Sequence, residues 1–234
     1  MKKLLLSASL IFFCLILQHF QTLAQDRLTG RSFATRSVVM AQHGMVCTSH
    51  PLATEAALDI LKKGGTAVDA AIAANAVLGV TDPGFDGIGG DLFAIVYVAK
   101  TKKLYGLNAS GRSPYALTLD ILKKDENQYI PFGGPLSVSA PGCVDGWYQL
   151  HDRFGKLSMK AILSAAINYA RNGFPVADEA AFVFTLLNDM YGKSPNVHQV
   201  FMPGGSAPKR GDIFKNPLLA NSMGCKTKSV SRRL

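Results

Sequence analysis

The sequence is poor in the residues that usually announce a site. It holds four cysteines and five histidines among 234 residues. Cys14, Cys47, Cys143 and Cys225 lie far apart, with no Cys-x-x-Cys and no His-rich spacing, so the pattern offers no metal site. A Cys47–Cys143 disulfide is open in an oxidising compartment. Two packed free thiols are the simpler reading, because cysteine often behaves as a small buried hydrophobe. There is no G-x-S-x-G elbow, and none of His19, His43, His50, His151 and His198 adjoins a Ser or Cys motif that would pair with it. No two threonines are adjacent. Charged residues make up only 18% against 48% hydrophobic, which excludes a disordered chain.

Acids are outnumbered: 25 Lys and Arg face 16 Asp and Glu, a formal charge of +9. The excess sits at the ends. Lys2 and Lys3 open the chain, and Lys226, Lys228, Arg232 and Arg233 lie in its last thirteen residues; neither end holds an acid, and the remainder carries +3. No basic face with interleaved aromatics is left for nucleic acid. A single long apolar run exists, Leu4 to Leu17, between the two lysines and Thr22-Leu23-Ala24. These are the n-region, h-region and small-residue cleavage site of a signal peptide. A run of about 14 residues is short for a span. Residues 1–24 are therefore expected to be a signal peptide, and the mature chain to be soluble, periplasmic or secreted, without membrane contact after cleavage. An uncleaved anchor or a buried helix is the competing reading.

No repeat or low-complexity linker divides the rest. Gly44–Thr48 reads as a short strand. Ser49 is placed to cap a helix entered through Pro51 and running to Lys63, with Ala53, Ala57, Ile60 and Leu61 on one face and Gly64-Gly65 as its stop. Thr66 with Asp69 resembles a capping box for an alanine-rich helix, Ala67–Leu78, which is apolar nearly all round and so expected to be buried. Thr81–Gly90 reads as a loop. Leu92–Val98 and Leu104–Leu107 read as a hairpin turned at Lys100–Lys103. Pro131–Gly142 is a second loop. Cys143–Phe154 is a helix holding Trp147. Ser158 caps another that closes at Asn172-Gly173, with Met159, Ile162, Leu163, Ala166 and Ala170 on one side. Ala177–Met190 is a helix and Tyr191–Pro208 a loop. Asn216-Pro217-Leu218-Leu219-Ala220 starts a helix expected to stop at Asn221. Residues 222–234 then read as an aberrant basic tail, from an interrupted reading frame or as a flexible terminus.

Two segments carry candidate chemistry. Gly84-Phe85-Asp86-Gly87-Ile88-Gly89-Gly90-Asp91 fits neither phosphate-loop spacing nor a dinucleotide fingerprint. It follows a helix and precedes a strand, so no helix N-terminus is offered to an anion. Its glycines are expected to permit positive φ and a close approach, or simply to turn under the sheet. Arg112, in Asn108-Ala109-Ser110-Gly111-Arg112-Ser113-Pro114, stands just after a strand, where a guanidinium can take a carboxylate in a bidentate pair; an ordinary surface arginine is the plainer alternative. Arg210-Gly211-Asp212 reads as a turn.

The run GMVCTSHPLATEAALDILKKGGTAVDAAIAANAVLGVTDP, the loop Gly87-Ile88-Gly89-Gly90, and SVSAPGCVDGW followed by AINYARNGFPV resemble the gamma-glutamyltranspeptidase (glutathione hydrolase proenzyme) family, over roughly Val38 to Ala220. The resemblance implies an α/β (α+β) fold, part of the four-layer αββα sandwich of N-terminal-nucleophile hydrolases, incomplete here. Residues 25–221 would be the large-subunit portion. It implies an exported zymogen that splits itself and needs no cofactor. A γ-glutamyl group from a small donor such as glutathione passes through an acyl-threonine enzyme to water or an acceptor amine. The nucleophile opens the small subunit, and its own α-amine is the base. The family's Thr-Thr-His processing run is absent, so no catalytic residue is assigned and the chain is expected to be inactive alone. Family members place a carboxylate-binding arginine four residues before the proline matching Pro114. That position is Ser110 here, and Arg112, two residues before, becomes the substrate-binding candidate. A related acylase with a different amide donor and a non-catalytic degenerate exported protein are the alternatives. A half-sheet without its complement is expected to expose paired edges and an apolar face.

Overall fold

The computed structural model describes residues 39–123, 130–131 and 133–229. The expected signal peptide, 1–24, and residues 230–234 of the expected tail lie outside them. Every helix and strand of the described residues belongs to the unit that begins at His43.

Two helices form the centre. α1 (Pro51–Lys62) and α2 (Ala67–Thr81) are joined by a turn through Gly64, whose φ of +82° suits glycine. The N-cap of α1 is His50 rather than Ser49. His50 is extended, and its Nδ1 accepts from the Leu52 N–H at 3.2 Å, doing what a hydroxyl would. The capping box of α2 forms as expected: the Asp69 N–H donates to Thr66 Oγ1 (3.1 Å), and the Thr66 N–H donates to Asp69 Oδ2 (2.9 Å). Asp69 is fully buried and also accepts from the backbone N–H groups of Lys156 and Leu157, at 3.1 and 3.2 Å. One carboxylate thus ties a helix start to a distant link. Ala70, Ala73, Ala74 and Ala76 are buried, so neighbouring backbones approach α2 closely.

β1 (Leu92–Val98) and β2 (Lys103–Ala109) form the expected antiparallel hairpin, with Leu92 opposite Ala109 and Ile95 opposite Gly106. Alternation sorts its side chains. Leu92, Ala94 and Val96 pack against the core, whereas Phe93, Ile95 and Tyr97 are 67%, 80% and 62% exposed. After a short helix, α3 (Leu119–Lys123), and a single 3-10 turn (Pro135–Ser137), α4 (Cys143–Phe154) lies against the hairpin and buries Trp147 and Leu150.

The helix capped by Ser158 is two: α5 (Met159–Ile162) and α6 (Ser164–Asn172), parted at Leu163. The Ser164 hydroxyl donates back to the Ala161 carbonyl at 2.8 Å, the local competition that makes serine a poor interior helix residue. The expected inward set, Met159, Ile162, Leu163, Ala166 and Ala170, is buried despite the break. α6 stops at Gly173, φ +99°. Then β3 (Phe174–Pro175) pairs with β4 (Ile213–Phe214), flanking α7 (Asp178–Tyr191) and α8 (Pro195–Phe201). Phe174, Phe184, Phe201 and Phe214 pack ring on ring, with centroids 4.7–6.5 Å apart.

Three further expectations fail. Gly44–Thr48 is not a strand, since no segment among the described residues pairs with it. The segment 191–208 contains α8, entered through Pro195 as proline suits a first turn. The last helix, α9 (Pro217–Ser229), runs beyond Asn221; Asn216 Oδ1 accepts from the Leu219 N–H at 3.0 Å, and Met223 is buried. Among the described residues no helix is long and apolar enough to cross a membrane.

Candidate functional site

Three segments remote in sequence meet at one end of the hairpin: the glycine loop before β1, the Arg112 loop after β2, and the stretch leading into α4. No side chain caps α4. Instead the Gly90 carbonyl accepts from the N–H groups of Gly142 and Cys143, at 3.0 and 2.9 Å, so the glycine loop meets the donors that a helix start leaves over. The Arg112 carbonyl accepts from the Ala140 N–H at 3.0 Å. These backbones are so close that a Cβ on Gly111 would overlap the Ala140 carbonyl, and one on Gly142 the Ala109 carbonyl. Both glycines are there for want of room. Positive φ is not the reason for glycine in the 84–90 loop, where none adopts it. Close approach is the reason at Gly84, where a Cβ would run into Val183; a Cβ on Gly87 or Gly89 would meet open space, and it is Gly79 of α2 that lies tight against the Gly87 backbone.

Asp91 sits where the segments join. Its Oδ1 accepts from the Gly111 N–H at 2.8 Å and from the Ser139 hydroxyl at 3.4 Å. Beside it runs a second polar chain. Trp147 Nε1 donates to Asn75 Oδ1 (2.8 Å), and Asn75 Nδ2 donates to Asp86 Oδ1 (2.8 Å). Burial pushes the Asp86 carboxyl above its ordinary pKa, and the hydrogen bond from Asn75 opposes that. An open cavity of about 370 Å³ is lined by Asn75, Asp86, Asp91, Phe93, Trp147 and Leu150, among others.

Cys143 and Cys47 form no disulfide. Cys143 is buried, its Sγ 3.6 Å from Asn75 Oδ1, whereas Cys47 is exposed rather than packed. Burial, with Asp86 and Asp91 nearby, pushes the Cys143 thiol up to about 11, so at neutral pH it is no nucleophile. Arg112 is exposed and forms no ion pair among the described residues. It is not among the residues lining the cavity. Sequence reasoning singled out Arg112 but passed over Asp91, Asp86 and Asn75. The signals were an acid closing a glycine loop just before an apolar strand, and a lone buried tryptophan whose N–H needs an acceptor.

Helices lie against one face of the β-hairpin and the other face is bare; it is the superposition on solved structures that gives the class, part of the αββα sandwich of N-terminal-nucleophile hydrolases. The likeness goes further. The family model described as gamma-glutamyltranspeptidase matches residues 53–225, and the chain belongs to that family. It is 35% identical over 191 residues to the glutathione hydrolase proenzyme of Bacillus subtilis (strain 168), an alignment covering 80% of this chain and 32% of the relative. The chain thus spans about a third of the length of that curated relative. Among solved structures it superposes on the gamma-glutamyltranspeptidase of Helicobacter pylori with a TM-score of 0.76 at 25% identity, covering 82% of this chain and 56% of the other. It also superposes on the cephalosporin acylase of Bacillus halodurans with a TM-score of 0.77 at 39% identity, covering 84% and 38%.

Proposed function

We propose that the chain is the large-subunit portion of an exported γ-glutamyltransferase or glutathione hydrolase, made as a zymogen and periplasmic or secreted. The leader-like residues 1–24 support export. Arg112 takes the α-carboxylate of a γ-glutamyl donor such as glutathione. A threonine at the start of the small subunit attacks the γ-carbonyl. The C–N bond breaks, the amine leaves with a proton relayed by the threonine's α-amino group, and water or an acceptor amine then takes the acyl group from the ester. The observation that carries this reading is the exposed Arg112 guanidinium, unspent on any carboxylate of the described residues, on a loop whose backbone is braced from both sides.

The small subunit is the occupant proposed for the bare face of Phe93, Ile95 and Tyr97. Combined with a small subunit of the family, the chain should hydrolyse a γ-glutamyl anilide, and Arg112→Ala should raise KM by about tenfold or more, as expected for losing a charge-assisted pair. The chain alone should be inert. Turnover by the chain alone, or an unchanged KM in Arg112→Ala, overturns the reading. A second reading, an acylase with a different amide donor, is favoured by the 39% identity to the cephalosporin acylase and by Ser110 standing where the family's usual arginine would be. A panel of γ-glutamyl and other acyl amides separates the two.

A further inference from the structure

We infer that Asp91 is a positioning residue, whose carboxylate fixes the backbone that carries Arg112 and leaves the guanidinium charge unspent for a ligand. The inference rests on the reading of Arg112 as a carboxylate binder.

Arg112 belongs to an exposed loop, and a long side chain on a mobile backbone loses much freedom on binding. Here the backbone is held on both sides of the residue. The preceding peptide N–H, that of Gly111, donates to Asp91 Oδ1 at 2.8 Å. The carbonyl of Arg112 itself accepts from the Ala140 N–H at 3.0 Å. The Ser139 hydroxyl donates to the same Asp91 oxygen at 3.4 Å, so one atom clasps both loops. Upstream, the Ser110 N–H donates to Asn108 Oδ1 at 2.9 Å.

The charge matters as much as the clasp. A hydrogen bond from an amide to a carboxylate is stronger than one between neutral groups. Asp91 lies close in the fold to Arg112, yet the two form no ion pair. The acid is engaged by a backbone amide and a hydroxyl, and the arginine remains cationic and solvent-facing. A ligand carboxylate therefore meets a positioned guanidinium with no internal competitor to displace.

The experiment compares the chain with Asp91→Ala, Asp91→Asn and Arg112→Ala. Amide hydrogen exchange reads the clasp, and titration with L-glutamate, followed by NMR, reads the carboxylate site. Asp91→Ala should speed exchange at Gly111 by about tenfold or more, and weaken glutamate binding by a similar factor, while exchange in α2 stays the same. Asp91→Asn retains an oxygen acceptor and should recover most of both. Unchanged Gly111 exchange in Asp91→Ala overturns the inference. So does faster exchange with undiminished glutamate binding, which would leave Asp91 a structural brace only. If glutamate binding is indifferent to Arg112→Ala, the Arg112 reading fails on its own account, and the Gly111 exchange rate still decides whether Asp91 holds the loop.

Discussion

The α1–α2 pair and the β1–β2 hairpin are both apolar in sequence, yet the fold treats them differently. α2 is buried on nearly every side, with neighbours supplied from within this chain. The hairpin is covered on one face only. Leu92, Ala94 and Val96 have partners, while Phe93, Ile95 and Tyr97 face outward. An exposed apolar patch of this kind marks an interface. One region is a finished core; the other leaves an apolar face exposed, which we propose a small subunit covers.

The sharpest way to break that contrast is to cut into each. Phe184 is fully buried among the aromatic rings, so Phe184→Ala should cost about 3–5 kcal/mol, read from denaturant unfolding. Asp69→Ala comes next, at about 3 kcal/mol, because the N–H groups of Thr66, Lys156 and Leu157 lose their acceptor together. A loss under about 1 kcal/mol would show that water replaces the carboxylate there.

His50 sharpens the picture at the start of α1. It is buried, its Nδ1 accepts from the Leu52 N–H, and its Nε2 has no hydrogen-bond partner among the described residues. Burial holds its pKa below the ordinary 6.5, and Glu179 pulls it back up. Because the folded state resists the proton that the unfolded chain accepts, stability is full above pH 6.5 and falls as pH drops below it toward the folded-state pKa. Protonation would also spend the capping lone pair and set a cation at a helix N-terminus. His50→Asn keeps a capping acceptor without the titration, so its stability should fall less between about pH 7 and 5. Parallel pH curves for the two proteins would refute this.

The smallest effect belongs to the hairpin. Ile95→Thr on the bare face should change stability by no more than about 0.5 kcal/mol, yet reduce self-association measured by light scattering. A large loss of stability would mean the face is already covered.

The elements read most plainly from sequence were those with local causes. The Thr66–Asp69 box, the glycine stops at Gly64 and Gly173 and the hairpin depend on neighbours a few residues away. The misreadings had distant causes or competing local ones. Ser164 turned its hydroxyl back onto its own helix, and His50 took the cap that Ser49 was suited for. Arg112 was found because an arginine after a strand has recognisable chemistry. Asp91 was not, because an acid beside glycines reads as a turn until its partners 20 and 48 residues away are known.

Sequence alone therefore determined most of the helices, the Thr66–Asp69 capping box, the hairpin and the family likeness, since periodicity, capping and motif order are written within short windows. Only the tertiary structure decided which carboxylate clasps the Arg112 loop, which thiol is buried and which strand face is bare. Those outcomes depend on distances between segments far apart along the chain, and short-range patterns carry no such distances.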